Sequence, residues 1–279
     1  MDPIVSIILF IFGIAIGSFL NVVILRYDGE HFLFDTKMIG GRSHCMHCKQ
    51  TLRWFELVPI VSFLIQGGRC RRCKARLNIQ YPIVELLSGL IFMFVPLALG
   101  IDAGVISASG IATPLIIIAA LWVAAFEALL VTAVIDIRLG IIPDEGNIFL
   151  GVIAIFLIIL SAGYFGGQES AVMAKIIGAV AGGAFFALLI AITRGKGMGM
   201  GDLKLAIPLG LLFGWPNIVF VTVFAFVIGA VVGVIEIVFG KNSMKGTLPF
   251  GPFLALGAAT VFFWGPAIFT WYMSLLGIR

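Results

Sequence analysis

Residues 217–239 read NIVFVTVFAFVIGAVVGVIEIVF, and Glu236 is the only charge among them. A helix rises about 1.5 Å per residue and bilayer hydrocarbon is about 30 Å thick, so this run is long enough to cross a membrane. Seven more apolar runs follow the same pattern, over 4–25, 82–100, 112–135, 146–163, 171–193, 203–214 and 250–276. The run 203–214 has only 12 residues and must begin or end within the membrane boundary. Trp215-Pro216-Asn217 marks the turn that follows it. The pattern predicts an all-α integral membrane protein with about eight transmembrane helices, one of them short.

Composition agrees. Of 279 residues, 61% are hydrophobic and 11% charged, against about 25% charged in soluble domains. Eighteen basic and 14 acidic residues cannot clothe a globule of this size. A soluble enzyme, a disordered chain and a coiled coil are excluded.

The net charge of +4 does not point to nucleic acid, because ten of the 18 basic residues lie between Arg26 and Arg76 and the rest flank apolar runs. Lys and Arg near span ends stay cytoplasmic. That rule places 26–81 and the loops near 136–146, 194–202 and 240–249 on the inside, with 16 of the 18 basic residues, Lys196, Lys241 and Lys245 among them. Only Lys175 and Arg279 are left outside, and both termini are expected there. Met1-Asp2-Pro3 lacks a basic n-region, so the first run reads as a retained span rather than a cleaved signal. Three parts are expected: a first transmembrane helix over 1–25, a cytoplasmic segment over 26–81, and a seven-helix membrane domain over 82–279.

The cytoplasmic segment is too small for a generous core, so a staple is expected. Cys45-x2-Cys48 and Cys70-x2-Cys73 supply one, separated by 21 residues. Each pair turns two thiolates toward one point, and four complete a tetrahedral zinc shell. The segment is therefore read as a small zinc-ribbon-like domain. Free thiols or two disulfides are the alternative, and a cytoplasmic location disfavours disulfides. A closed four-thiolate shell leaves no position for water, so this zinc is expected to be structural. His44 and His47 read as surface residues or as a substitute for one cysteine.

Asp136 ends the third run within Val134-Ile135-Asp136-Ile137-Arg138-Leu139-Gly140-Ile141-Ile142-Pro143-Asp144, and Asp202 opens the short run after Gly197-Met198-Gly199-Met200-Gly201. Two spans separate them, so parity places both acids at one membrane face. Two carboxylates sharing a site cannot both ionise cheaply. One then activates water while the other, protonated, polarises a peptide carbonyl, as in aspartic proteases. Interfacial acids satisfied by caps or arginines are the bland alternative. Helix ends suggest a division of roles. Asp202 near a helix N-terminus is expected to be the base, and Asp136 near a C-terminus the acid. Glu127, nine residues before Asp136, falls on the opposite helix face. Glu236 lies within a span, and Glu85 reads as a partner for the start of its own helix. An ion-coupled transporter and a non-enzymatic zinc-bearing adaptor are the competing classes. Transporters carry repeats and midplane acids, and an adaptor leaves the glycine-rich loop without a purpose.

Taken together, the motifs resemble the prepilin peptidases, the type IV leader peptidases of bacterial pilus and type II secretion systems. Gly17-Ser18-Phe19-Leu20-Asn21-Val22-Val23-Ile24 is similar to the family's first helix, and Tyr81-Pro82-Ile83-Val84-Glu85-Leu86-Leu87 to the start of its second. The cysteine pairs resemble its zinc domain. Asp136 with Ile142-Pro143-Asp144 resembles its first aspartate motif, and Gly199-Met200-Gly201-Asp202-Leu203-Lys204-Leu205 its second. Pro249-Phe250-Gly251-Pro252-Phe253 is similar to the start of its last helix. The sequence departs from the family at Met46, often proline, and at Arg138, often a second acid.

The resemblance implies an aspartic peptidase of the bacterial inner membrane. It would cut the basic leader of prepilins or pseudopilins after a glycine at the cytoplasmic face. Asp136 and Asp202 would be the catalytic pair, supported by Gly199, Gly201, Asp144 and Lys204, with Cys45, Cys48, Cys70 and Cys73 holding zinc. Methylation of the new N-terminus with S-adenosylmethionine is expected too, although no donor-binding residues are readable. Cleavage without methylation is the alternative within this class. The expected partners are the prepilin substrate and the lipid bilayer, without nucleic acid. The oligomeric state is not readable.

Overall fold

The computed structural model describes residues 2–33, 35, 39–101, 112–165, 169–195, 197–239, 248–275 and 277. Lys37, Lys196, Lys241, Lys245 and Arg279, which entered the orientation argument, lie outside the described residues. Among the described residues the regular elements are helices, with two isolated bridges and no strand.

The helices are α1 (Pro3–Arg26), α2 (Val61–Ile65), α3 (Gln80–Ala98), α4 (Ala112–Leu139), α5 (Asp144–Phe165), α6 (Glu169–Thr193), α7 (Met200–Phe213), α8 (Asn217–Val238) and α9 (Gly251–Leu275). Seven are long and apolar enough to cross a membrane: α1, α3, α4, α5, α6, α8 and α9. The chain is a multi-pass membrane protein. The remaining expected run is α7, whose 14 residues span about 21 Å as a helix.

Met1–Val123 and Ala124–Arg279 form two compact units. In the first, α1 packs against α3. Gly13 and Gly17 let the backbones approach, since a Cβ on Gly17 would stand 2.8 Å from the Glu85 Cα. Small residues at this spacing are how helices pack tightly in lipid, where burying apolar surface against lipid tails gains little. Ser88 Oγ adds a 2.7 Å hydrogen bond to the Gly13 carbonyl, and Asn21 Nδ2 donates to the Tyr81 carbonyl at 3.1 Å.

In the second unit, α7 is surrounded by α5, α6, α8 and α9. A Cβ on Gly178 of α6 would fall 2.6 Å from the Gly210 carbonyl of α7, so α6 and α7 are nearly in backbone contact. A helix that ends early leaves carbonyls without partners. Here Lys175 of α6 donates to the Leu212 carbonyl, and Asn217 Nδ2 donates to that of Phe213 at 3.2 Å. Lys175, one of the two cations expected outside, therefore closes the end of the short helix.

Between residues 40 and 79 only Cys45 and Cys70 are buried. The segment has no apolar core of its own, the condition under which a staple is expected.

Candidate functional site

Gly140, at φ +69°, stops α4, and its N–H bonds the Asp136 carbonyl at 2.8 Å. Pro143 then delays the next helix until Asp144. Helix α4 runs to Leu139, so Asp136 sits inside its last turn rather than past its end. Helix α7 begins at Met200, which puts Asp202 in its first turn. Both carboxylates are buried, and they are close enough for their charges to interact.

Each accepts one backbone N–H. Asp202 Oδ2 takes that of Gly199, the residue preceding α7, at 3.1 Å. This is half of a capping box, because glycine has no side chain to return the bond. Asp136 Oδ2 takes the N–H of Gly251, the first residue of α9, at 2.8 Å. Both acids thus meet the donor end of a helix, which favours a carboxylate. The start of α9 thus offsets the C-terminal position of Asp136 within its own helix.

Space around the two donors differs. A Cβ on Gly251 would lie 2.7 Å from Asp136 Oδ2, whereas one on Gly199 would lie 3.6 Å from Asp202 Oδ2. Gly201 is tight for another reason, with Ile142 Cβ 3.0 Å from where its own Cβ would stand. The glycines of the loop are therefore not equivalent.

Lys204 and Asp144 form an exposed ion pair, with Nζ 2.8 and 2.7 Å from the two carboxylate oxygens. It joins the second turn of α7 to the first residue of α5. Sequence reading missed Asn147, three residues further along α5. It is buried, and neither amide atom has a hydrogen-bond partner. Its neighbour Gly146 abuts Thr132, one turn before Asp136 on α4. A buried amide without partners costs about 1–3 kcal/mol. The available signal was an asparagine one helical turn after Asp144, at the head of an otherwise apolar run. Glu127 is also buried, and Glu236 is half-buried.

The four cysteines converge, with all Sγ atoms within 4.8 Å of one another. Cys45 and Cys73 sulfurs are 3.8 Å apart, matching the edge of about 3.8 Å for a tetrahedron with Zn–S bonds of about 2.3 Å. The two halves repeat each other. Cys45 N–H bonds the Gln50 carbonyl and Cys70 N–H that of Ala75, both at 2.9 Å. Lys49 and Lys74 both turn at positive φ, 55° and 58°. Backbone N–H groups of Cys73 and Arg72 pull the Cys70 thiol down to about 7, whereas, against the Ala75 N–H, burial and the neighbouring thiols push that of Cys73 up to about 11. The cluster could hold a metal ion.

The Bacterial Peptidase A24 N-terminal domain family matches residues 11–99, and the Type IV leader peptidase family matches 123–234. The Prepilin leader peptidase/N-methyltransferase of Bacillus subtilis (strain 168) is 32% identical, covering 96% of this chain and 98% of the relative. The chain belongs to the type IV leader peptidase family. Proteins of the same description from Burkholderia pseudomallei (strain 1026b) and Stutzerimonas stutzeri are 32% and 30% identical, covering 91% and 95% of this chain and 84% and 92% of their own. No solved structure matches the chain significantly. Within the family description, 123–234 contains both aspartates and Asn147, whereas Gly251 lies beyond it.

Proposed function

We propose that the chain is a membrane aspartic endopeptidase that removes the leader of type IV prepilins or pseudopilins and then methylates the new N-terminus. The observation that carries the cleavage is the pair Asp136 and Asp202. They come from different helices, are buried together, and each is oriented by one backbone N–H.

One ionised carboxylate takes a proton from water as the oxygen attacks the scissile carbonyl carbon. The protonated partner gives its proton to the carbonyl oxygen. Collapse of the tetrahedral intermediate expels the amine, which leaves with a proton from the dyad. Gly199 and Gly251 fix the carboxylates for this exchange, and proton transfer by such positioned groups contributes about 10²–10⁴ in rate. The substrate must be extended at the cut, so its peptide groups lose their helical partners. Asn147 offers one donor and one acceptor to such a peptide group. Gly201 keeps the approach narrow, and the exposed Lys204–Asp144 pair links α7 to the start of α5.

The positive-inside pattern supports the bacterial inner membrane, an aspartate pair at the cytoplasmic face and termini outside. Methylation rests on the description shared by the relatives, and S-adenosylmethionine is the donor of that chemistry. Cys45, Cys48, Cys70 and Cys73 hold structural zinc. Chelation is expected to remove one zinc per chain and unfold 40–79, which metal analysis and proteolysis of that segment would report. A chain that holds no metal and keeps the segment folded would overturn the zinc assignment.

The test of the dyad is cleavage of a prepilin-type substrate in detergent by wild type, Asp136→Asn and Asp202→Asn. Wild type is expected to shorten the substrate, and each variant to lose about 10²–10⁴ in turnover while keeping its helical content. Normal cleavage by either variant would make that acid structural.

A further inference from the structure

Helix α2 turns its apolar stripe out of its fold. Val61, Leu64 and Ile65 follow the spacing of one helical face, and Leu57 and Val58 extend it backward. All five are exposed, Leu64 at 70% and Ile65 at 80%, and Trp54 nearby is exposed at 80%. The opposite side is engaged. The Phe63 ring lies 3.2 Å from where a Gly68 Cβ would stand, and the Gly68 N–H bonds the Phe63 carbonyl at 3.0 Å. So the exposed stripe is the face left over after Phe63 has packed on Gly68, in the turn that closes α2.

The chain sets the depth of this face. Ile60, the residue before α2, donates its N–H to Glu85 Oε2 at 2.7 Å. Glu85 is five residues into α3, about 7.5 Å down the helix axis from its start. Helix α3 is a membrane span, so the residue that opens α2 is tied to the first turns of that span. The turn that achieves this is strained: Ile60 has φ +59° and ψ −53°, a rare conformation for a β-branched residue. The other end of the segment is tied down too, since Arg26 at the end of α1 donates to the Ile39 carbonyl at 2.7 Å.

Charge completes the pattern. From 36 to 84 the chain holds nine basic residues and one acid, Glu56. Arg53, Arg69, Arg71, Arg72, Lys74 and Arg76 are exposed. The Arg71 guanidinium sits 5.3 Å above the Phe55 ring, and Phe55 in turn contacts Trp54 edge-on, so the basic loop adjoins the apolar patch. An apolar stripe with tryptophan at one end and arginines beside it is the composition of a helix lying in a bilayer interface.

We propose that α2, with Trp54, is an interfacial anchor. Its Leu57–Val58–Val61–Leu64–Ile65 face lies in the headgroup–acyl boundary, and the neighbouring arginines bind anionic phospholipid. The cysteine segment is then laid on the membrane rather than suspended above it. The inference is independent of the peptidase reading.

The test uses the full chain in nanodiscs of phosphatidylethanolamine and phosphatidylglycerol doped with a phospholipid carrying a diazirine near the start of its acyl chain. After irradiation, labelled peptides are mapped by mass spectrometry. The 54–65 peptide of wild type is expected to carry several-fold more label than 43–50. Replacing phosphatidylglycerol by phosphatidylcholine should reduce that label. Leu64→Glu with Ile65→Glu should abolish it without changing the melting profile, because neither side chain is packed. An unlabelled 54–65 peptide in wild type would overturn the proposal. So would a bifunctional crosslinker joining 54–65 to a second copy or to another part of the chain in place of lipid.

Discussion

Asp136 and Asp202 are held by the same kind of donor, a backbone N–H at a helix start, from very different distances along the chain. Asp202 reaches back three residues to Gly199, on the approach to its own helix. Asp136 is reached by Gly251, 115 residues later. The first clamp exists wherever α7 exists as a helix. The second exists only if α9 packs with its first residue against the last turn of α4. Equal chemistry thus rests on unequal foundations, and the Asp136 side is the more breakable.

The largest expected effect follows directly. Gly251→Ala places a methyl 2.7 Å from Asp136 Oδ2, so the helix start or the carboxylate must shift. Misplacement by about 1 Å can cost about 10²-fold in rate, and a loss of that order in kcat is expected. Gly199→Ala meets only an ordinary 3.6 Å contact. Its cost is that of a poorer N-cap, about 1 kcal/mol, or about fivefold at most. Side-by-side cleavage rates check the comparison, and equal losses would break it.

Asn147 gives the next effect. Replacing it with leucine, of similar volume, removes a buried amide that has no partner, and is expected to stabilise the fold by about 1–3 kcal/mol. The same change should raise KM for the substrate, because the extended chain loses its pairing partner. Melting and KM moving together in this way would sharpen the assignment. A destabilised variant with unchanged KM would place Asn147 in packing alone.

The smallest effect is at Lys204. Its pair with Asp144 is exposed on both sides, and such pairs contribute about 0–1 kcal/mol. Lys204→Met is expected to change cleavage less than Gly199→Ala does. A loss matching that of Gly251→Ala would mean that the helix starts depend on this pair.

Several of these residues stood in the open before any fold was known. The aspartates are legible because acids are costly at the ends of apolar runs, and the cysteines because two close pairs can bring four thiols to one point. Gly251 was visible only as one residue of Pro249–Phe253, with nothing to connect it to Asp136. The expected division of roles between the acids weighs each carboxylate against its own helix alone, whereas the Gly251 N–H comes to Asp136 from a neighbouring helix. Asn147 is not legible in the sequence, because an asparagine in the first turn of a helix ordinarily reads as a polar end. Its burial depends on the helices around it.

What the chain order carries alone is what adds up residue by residue: hydropathy over a run, charge at its ends, the two-residue gap within each cysteine pair. From these come the all-helical membrane fold, the short α7, the four-cysteine cluster and the two acids. What packing decided is which backbone N–H meets which carboxylate, which glycine has room, and which face of α2 is left uncovered. Those depend on contacts between segments tens of residues apart. No local sum encodes them, because the free energy of a contact belongs to the pair and not to either residue.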